Sequence, residues 1–156
     1  MGCEARAMTS LRRTSGQRGN AFIETALAFT ILVPVFLGTF QFGLAFYYYN
    51  ELASAVRAGA RYASYRTYDS ATATPSTAFV SAVRNMTVYG NPDGGVKPVV
   101  QGLNTSNIEV TVQTELQMPR YVRVSVRDFS MNVVLKTFRI SKPEAVFPYL
   151  GVYAPE

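Results

Sequence analysis

Gln17-Arg18-Gly19-Asn20-Ala21-Phe22-Ile23-Glu24 opens an apolar run. The run continues through Ala26-Leu27-Ala28-Phe29-Thr30-Ile31-Leu32-Val33-Pro34-Val35-Phe36-Leu37-Gly38 and closes on Tyr47-Tyr48-Tyr49. No charged residue lies between Glu24 and Glu51. A bilayer hydrocarbon core of about 30 Å takes roughly 20 helical residues, so the run is long enough to span one. The reading is a membrane helix over residues 20–49, with a basic segment in front of it and one carboxylate just inside it.

The segment in front, residues 1–19, carries Arg6, Arg12, Arg13 and Arg18 against Glu4 and has no apolar periodicity. It reads as a cytoplasmic leader. Arg18 lies nearer the span than Arg57, Arg61 or Arg66 beyond it, a weak charge bias toward a cytoplasmic N-terminus.

Glu24 is the fifth residue after Gly19. Basic residues, a glycine, four residues, a glutamate and a long apolar helix resemble the substrate of a prepilin peptidase. The resemblance implies cleavage after Gly19, leaving Asn20 as the first residue. A glycine suits this position because it lets the peptide lie extended in a narrow cleft. Glu24 has two readings. Near a helix N-terminus a carboxylate is tolerated, since the helix dipole favours it there. An ionisable group in a span also marks function by default, and the resemblance implies pairing with the new N-terminal amine of a neighbouring subunit. Two other processing patterns are visible. Ala53-Ser54-Ala55 has the small-x-small form of a secretory cleavage site, but the apolar run before it is about twice the usual 7–15 residues. Met1-Gly2-Cys3 lacks the Ser or Thr that acylation expects where Arg6 stands.

The formal charge of +5 belongs largely to the leader. Beyond Gly19 there are 11 basic and nine acidic residues, so no nucleic-acid surface is expected. Cys3 is the single cysteine and there is no His, which argues against a disulfide scaffold, a Cys-based zinc site and His-based catalysis. No phosphate loop or base–orienter arrangement is visible. The expectation is a non-enzyme without cofactor, metal or small-molecule substrate.

The helix is expected to continue past the span over residues 50–65, which contain good helix formers and no proline. Leu52, Val56, Ala60 and Ala63 form one stripe; Arg57, Arg61 and Tyr65 form another. The second stripe is either a solvated face or a site for a partner's carboxylate or a lipid headgroup. Pro34, in mid-span, removes a backbone donor and predicts a kink or local melting.

Val56-Arg57-Ala58-Gly59-Ala60-Arg61-Tyr62-Ala63 resembles the segment that follows the membrane helix in TadE-like proteins, minor pseudopilins of the tight-adherence (Tad/Flp) pilus system. Gly19 with Glu24, Pro34, Leu37-Gly38 and Phe42-Gly43 fit the same family. The resemblance implies processing and assembly roles for Gly19, Asn20 and Glu24. It implies partner-helix packing through Leu27, Ile31, Pro34, Gly38 and Phe42, and a post-membrane motif of Arg57, Gly59, Arg61 and Tyr62. The implied partners are a prepilin peptidase, other pilins or pseudopilins and inner-membrane lipid. The implied location is the bacterial inner membrane, with residues 66–156 outside the cytoplasm. The alternative is an uncleaved signal-anchored envelope protein whose distal domain binds a protein or carbohydrate.

In residues 66–156, Arg66 to Thr74 reads as a hinge. Thr74-Pro75 reads as an N-cap and first helical residue. Gly90 to Gly95 reads as a turn. Ile108–Leu116 and Tyr121–Arg127 alternate as two strands joined through Gln117-Met118-Pro119-Arg120. Aligning their apolar faces predicts Leu116 opposite Val122, Thr114 opposite Val124, Val112 opposite Val126, and a Glu115–Arg123 pair. Asn132–Leu135 reads as a third element, and the proline-rich tail as irregular but packed back on the domain. The predicted fold is α+β and pilin-like, a long N-terminal helix running into a small domain with an antiparallel sheet.

Overall fold

A computed structural model describes residues 15–70, 72–133 and 136–152. Leader residues Cys3, Glu4, Arg6, Arg12 and Arg13 lie outside them, as do Val134, Leu135 and Pro155. Helix α1 is Ser15–Tyr65. The chain divides into two compact units, Met1–Phe40 and Gln41–Glu156.

In the first unit the described residues are all helical. The helix therefore begins four residues ahead of Gly19, inside the expected leader. No proline stands before Pro34 to stop it, and once nucleated a helix gains one hydrogen bond for each residue added. Pro34 does not melt it, because the helix runs through without a break. Phe22, Ile23, Leu27, Ile31, Leu32, Val35 and Phe36 are all exposed. A helix apolar on every side belongs in a core or a membrane. The hydroxyls of Thr25, Thr30 and Thr39 each donate to the carbonyl four residues back, at 2.8, 2.8 and 2.9 Å. They are satisfied within the helix, as an environment without water requires.

The second unit is α+β, with an antiparallel sheet. Its elements are the distal part of α1, α2 (Thr77–Tyr89), a 3-10 turn (Thr105–Asn107), β1 (Ile108–Glu115), β2 (Met118–Val126), β3 (Phe129–Val133), β4 (Lys136–Ile140) and β5 (Glu144–Pro148). One sheet has the order β1-β2-β5; β3 and β4 form a separate two-stranded sheet; the pairs are antiparallel. Leu52, Val56, Ala60 and Ala63 of α1 are buried as the spacing predicts. They share one core with Phe79, Val83 and Val88 of α2, with Val122, Val124 and Val126 of β2, and with Phe129, Met131 and Ala145. Each fully buried Val, Leu or Phe contributes on the order of 1.5–3 kcal/mol, so this cluster dominates the domain's stability. Leu44, Ala45 and Tyr48 pack against the same core. The folded domain thus takes hold of α1 before the uncharged run has ended.

Several expectations need correction. The strands pair as Val112↔Val122, Val110↔Val124 and Ile108↔Val126, four residues from the predicted register. An even shift keeps every side chain on its face, so alternation alone does not detect it. The turn is Leu116-Gln117, both with positive φ (52° and 63°), and Glu115 pairs with Met118. Two consecutive positive φ values match the strand twist, and Asn-Gly is the usual signal for such a turn. Leu-Gln gave no such signal. Leu116 is accordingly 95% exposed. The register shifts between Gln113 and Thr114, where Arg120 is the extra residue of a bulge beside Pro119; a bulge is where a strand proline is tolerated. Arg123 lies opposite Thr111 and pairs with Glu144 at 3.4 Å, while Glu115 pairs with Arg120 at 3.2 Å.

The α2 N-cap is Ser76, not Thr74: its Oγ accepts from the Phe79 N–H at 3.0 Å. The segment after α1 is not a free hinge. Tyr68 is buried, its backbone N–H donates to the Val152 carbonyl, and its hydroxyl donates to the Ala73 carbonyl at 2.6 Å. Of the third element, Asn132-Val133 closes strand β3, which already begins at Phe129. The tail is less irregular than its prolines imply, since Glu144–Pro148 is strand β5, paired with β2.

Candidate functional site

The residues singled out by the sequence fall into two groups, one in each unit. In the first unit, Gly19, Asn20 and Glu24 are exposed on α1. A Cβ at Gly19 would meet nothing within 4 Å. Glu24 makes no hydrogen bond or ion pair among the described residues. At 100° per residue, Gly19 and Glu24 point about 140° apart around the helix, so one partner surface does not cover both. Leu27, Ile31, Pro34 and Gly38 follow at spacings of four, three and four, which puts them on one face. Leu27 and Ile31 are exposed.

In the second unit the post-membrane motif separates into a packing part and a surface part. Gly59 is buried against α2, where a Cβ would lie 1.9 Å from Thr87 Oγ1. The Thr87 hydroxyl is buried and donates to the Val83 carbonyl at 2.8 Å. Gly59 is therefore a close-approach residue. Arg57 and Arg61 are exposed and make no ion pair among the described residues. Tyr62 is half-buried; its hydroxyl accepts from Arg66 Nη1, and the Arg66 guanidinium lies 5.7 Å from its ring centre. Arg61, Tyr62, Tyr65, Arg66 and Asp69 line an open groove. Phe42 is exposed at the start of this unit.

Sequence reasoning did not find the closure at the far end of α1. Tyr149 Oη donates to the Arg66 carbonyl at 2.8 Å, and the Leu150 N–H donates to the Ser64 carbonyl at 2.8 Å. Burial, then the nearby Asp69 carboxylate, pushes the Tyr149 phenol above its ordinary value. These partners are more than 80 residues apart in sequence, at Arg66 and Tyr149, and no local pattern announces them. Ala53 and Ala55 of the small-x-small pattern are both buried within α1. Cleavage after Ala55 would cut through the core helix beside Leu52 and Val56, which counts against a secretory signal there.

One helix among the described residues is long and apolar enough to cross a membrane, and it lies near the N-terminus. The fold is compatible with single-pass anchoring of a small α+β domain. Residues 19–61 match the family model described as TadE-like protein, which bears out the resemblance over that stretch. The match starts at Gly19, includes Glu24 and extends to Arg61. The sheets lie outside it. No curated protein and no solved structure gives a match to this chain.

Proposed function

We propose that the chain is a minor pseudopilin of a Tad/Flp-type adhesive pilus, made with a cytoplasmic leader over residues 1–19. A prepilin peptidase cuts after Gly19. The mature chain starts at Asn20, holds its helix in the inner membrane and displays residues 66–156 on the extracytoplasmic side. It serves assembly, in initiation, priming or at the tip. The single observation that carries this reading is the family match starting at Gly19 and containing Glu24, on a helix whose apolar residues are exposed on every side.

The chemistry is consistent with each step. Gly16 and Gly19 weaken the first turns of α1 by about 1 kcal/mol each relative to alanine, which favours the local unwinding that a peptidase cleft needs. Cleavage frees an amine at Asn20, and Glu24 has no partner among the described residues. In the low dielectric of a membrane, an amine from a neighbouring subunit is the partner that offsets the cost of that carboxylate. The face formed by Leu27, Ile31, Pro34 and Gly38 then meets other pseudopilin helices, with Phe42 continuing it. Gly38 allows close approach, as small residues do between helices in lipid.

The test is the intact mass and N-terminus of the membrane-extracted chain, with and without active prepilin peptidase. A start at Asn20 that depends on the peptidase and is lost in Gly19→Leu is the expected result. A chain that keeps its leader under all conditions overturns the reading. It then favours an uncleaved, signal-anchored envelope protein whose distal domain binds a protein or carbohydrate.

A further inference from the structure

The compact distal unit starts at Gln41. A helix entering a bilayer at Asn20 uses roughly 20 residues to cross it, so it leaves the hydrocarbon near Phe40. The uncharged run nevertheless continues to Asn50. Over this surplus, Phe42, Phe46 and Tyr49 of α1 line an apolar groove with Phe138 and Ile140 of β4, and Arg139 stands in the same lining. Phe42 and Phe46 are each 66% exposed, which is unusual for side chains flanking a folded core. Arg139 is exposed and has no ion pair among the described residues. An apolar groove with a tyrosine and an unpaired guanidinium, its α1 lining starting two residues past Phe40, has the make-up of a membrane-interface surface.

We propose that Phe46 and Tyr49 of α1, with Phe138, Arg139 and Ile140 of β4, form a membrane-contact surface. Its groove receives the outer ends of acyl chains, and Arg139 binds the phosphate of an anionic phospholipid. The inference rests on α1 being a membrane span. The control position lies at the other end of the distal part of α1, near Arg66. There the Tyr149 N–H bonds the Arg120 carbonyl and the Tyr149 hydroxyl bonds the Arg66 carbonyl, so the β1–β2 turn lies at the far end of α1.

The chain contains no Trp, so a single introduced Trp reports its own surroundings. The full chain, reconstituted in lipid nanodiscs, is compared as Phe138→Trp, Ile140→Trp and Leu116→Trp. The bilayers are phosphatidylcholine or phosphatidylglycerol with chains brominated near the headgroup. The expected result is strong quenching by brominated chains at positions 138 and 140 and none at 116, where aqueous iodide quenches instead. Phosphatidylglycerol should quench positions 138 and 140 more than phosphatidylcholine does, and Arg139→Gln should remove that difference. If iodide quenches all three positions alike while the chain resists extraction by alkaline carbonate, the contact surface is wrong and the span stands. If positions 138 and 140 are shielded from both quenchers, a second protein chain covers the groove and the proposal fails. If alkaline carbonate extracts the chain, both the span and this inference fall.

Discussion

Gly59 of α1 faces Thr87 of α2 so closely that a Cβ on Gly59 would lie 1.9 Å from the threonine Oγ1 and 3.0 Å from its Cβ. Thr87 is fully buried and its hydroxyl is held by the Val83 carbonyl, so it has little room to retreat. Gly59→Ala should therefore destabilise the distal unit by about 1–3 kcal/mol through overpacking. Urea unfolding of the detergent-solubilised chain measures this. Gly59→Ala with Thr87→Ala should recover part of the loss, because the nearest atom is gone. Strictly additive single and double variants would refute the close approach.

The β1–β2 turn predicts a gain. Leu116 and Gln117 both sit at positive φ, and Leu116 is almost fully exposed. Leu116→Asn with Gln117→Gly places the preferred residues in that geometry. Stability should rise by about 0.5–1 kcal/mol, since the strain falls and no packed side chain is removed. The same unfolding experiment reads the gain. A loss would mean that the register is not the one described.

The two candidate caps of α2 can be separated. Ser76 Oγ accepts from the Phe79 N–H, and Thr74 makes no such bond to the helix. Ser76→Ala should cost about 1 kcal/mol and raise amide exchange in the first turn of α2, whereas Thr74→Ala should leave both near the parent values. Equal effects would remove the assignment.

Tyr149 predicts an alkaline limit. Its phenol is held protonated above its ordinary value by burial first and by Asp69 second. A group raised in the folded state contributes stability that is complete below its unfolded value, near pH 10, and lost as pH climbs through the folded value. The closure of the tail on α1 should therefore loosen above about pH 10, seen as faster exchange of the Leu150 amide. Tyr149→Phe removes the donor to the Arg66 carbonyl, costs about 1 kcal/mol near neutral pH and abolishes that alkaline step.

The membrane-length helix, its continuation to Tyr65, the buried Leu52–Val56–Ala60–Ala63 stripe and the TadE-like segment were all readable, because each is a local, periodic property of neighbouring residues. The α+β class followed from a helical pattern giving way to alternating strands. The proline-rich tail misled, because composition says nothing about whether a strand edge nearby, here β2, will accept Glu144–Pro148. Arg57 and Gly59 looked like parts of one motif, yet one lies on the surface and the other against Thr87.

By itself the sequence determined the period of each element, and hence which faces are apolar. It also determined the charge-free length from Thr25 to Asn50 and the spacing of Glu24 from Gly19. Only the tertiary structure decided the strand register, the pairing of β5 with β2, the contact of Gly59 with Thr87 and the closure of Tyr149 on Arg66. The physical reason is range. Periodicity and charge act between residues a few positions apart, where the chain itself fixes the geometry. Register and closure depend on which distant surfaces meet, and an even slip or an alternative partner leaves the local pattern unchanged.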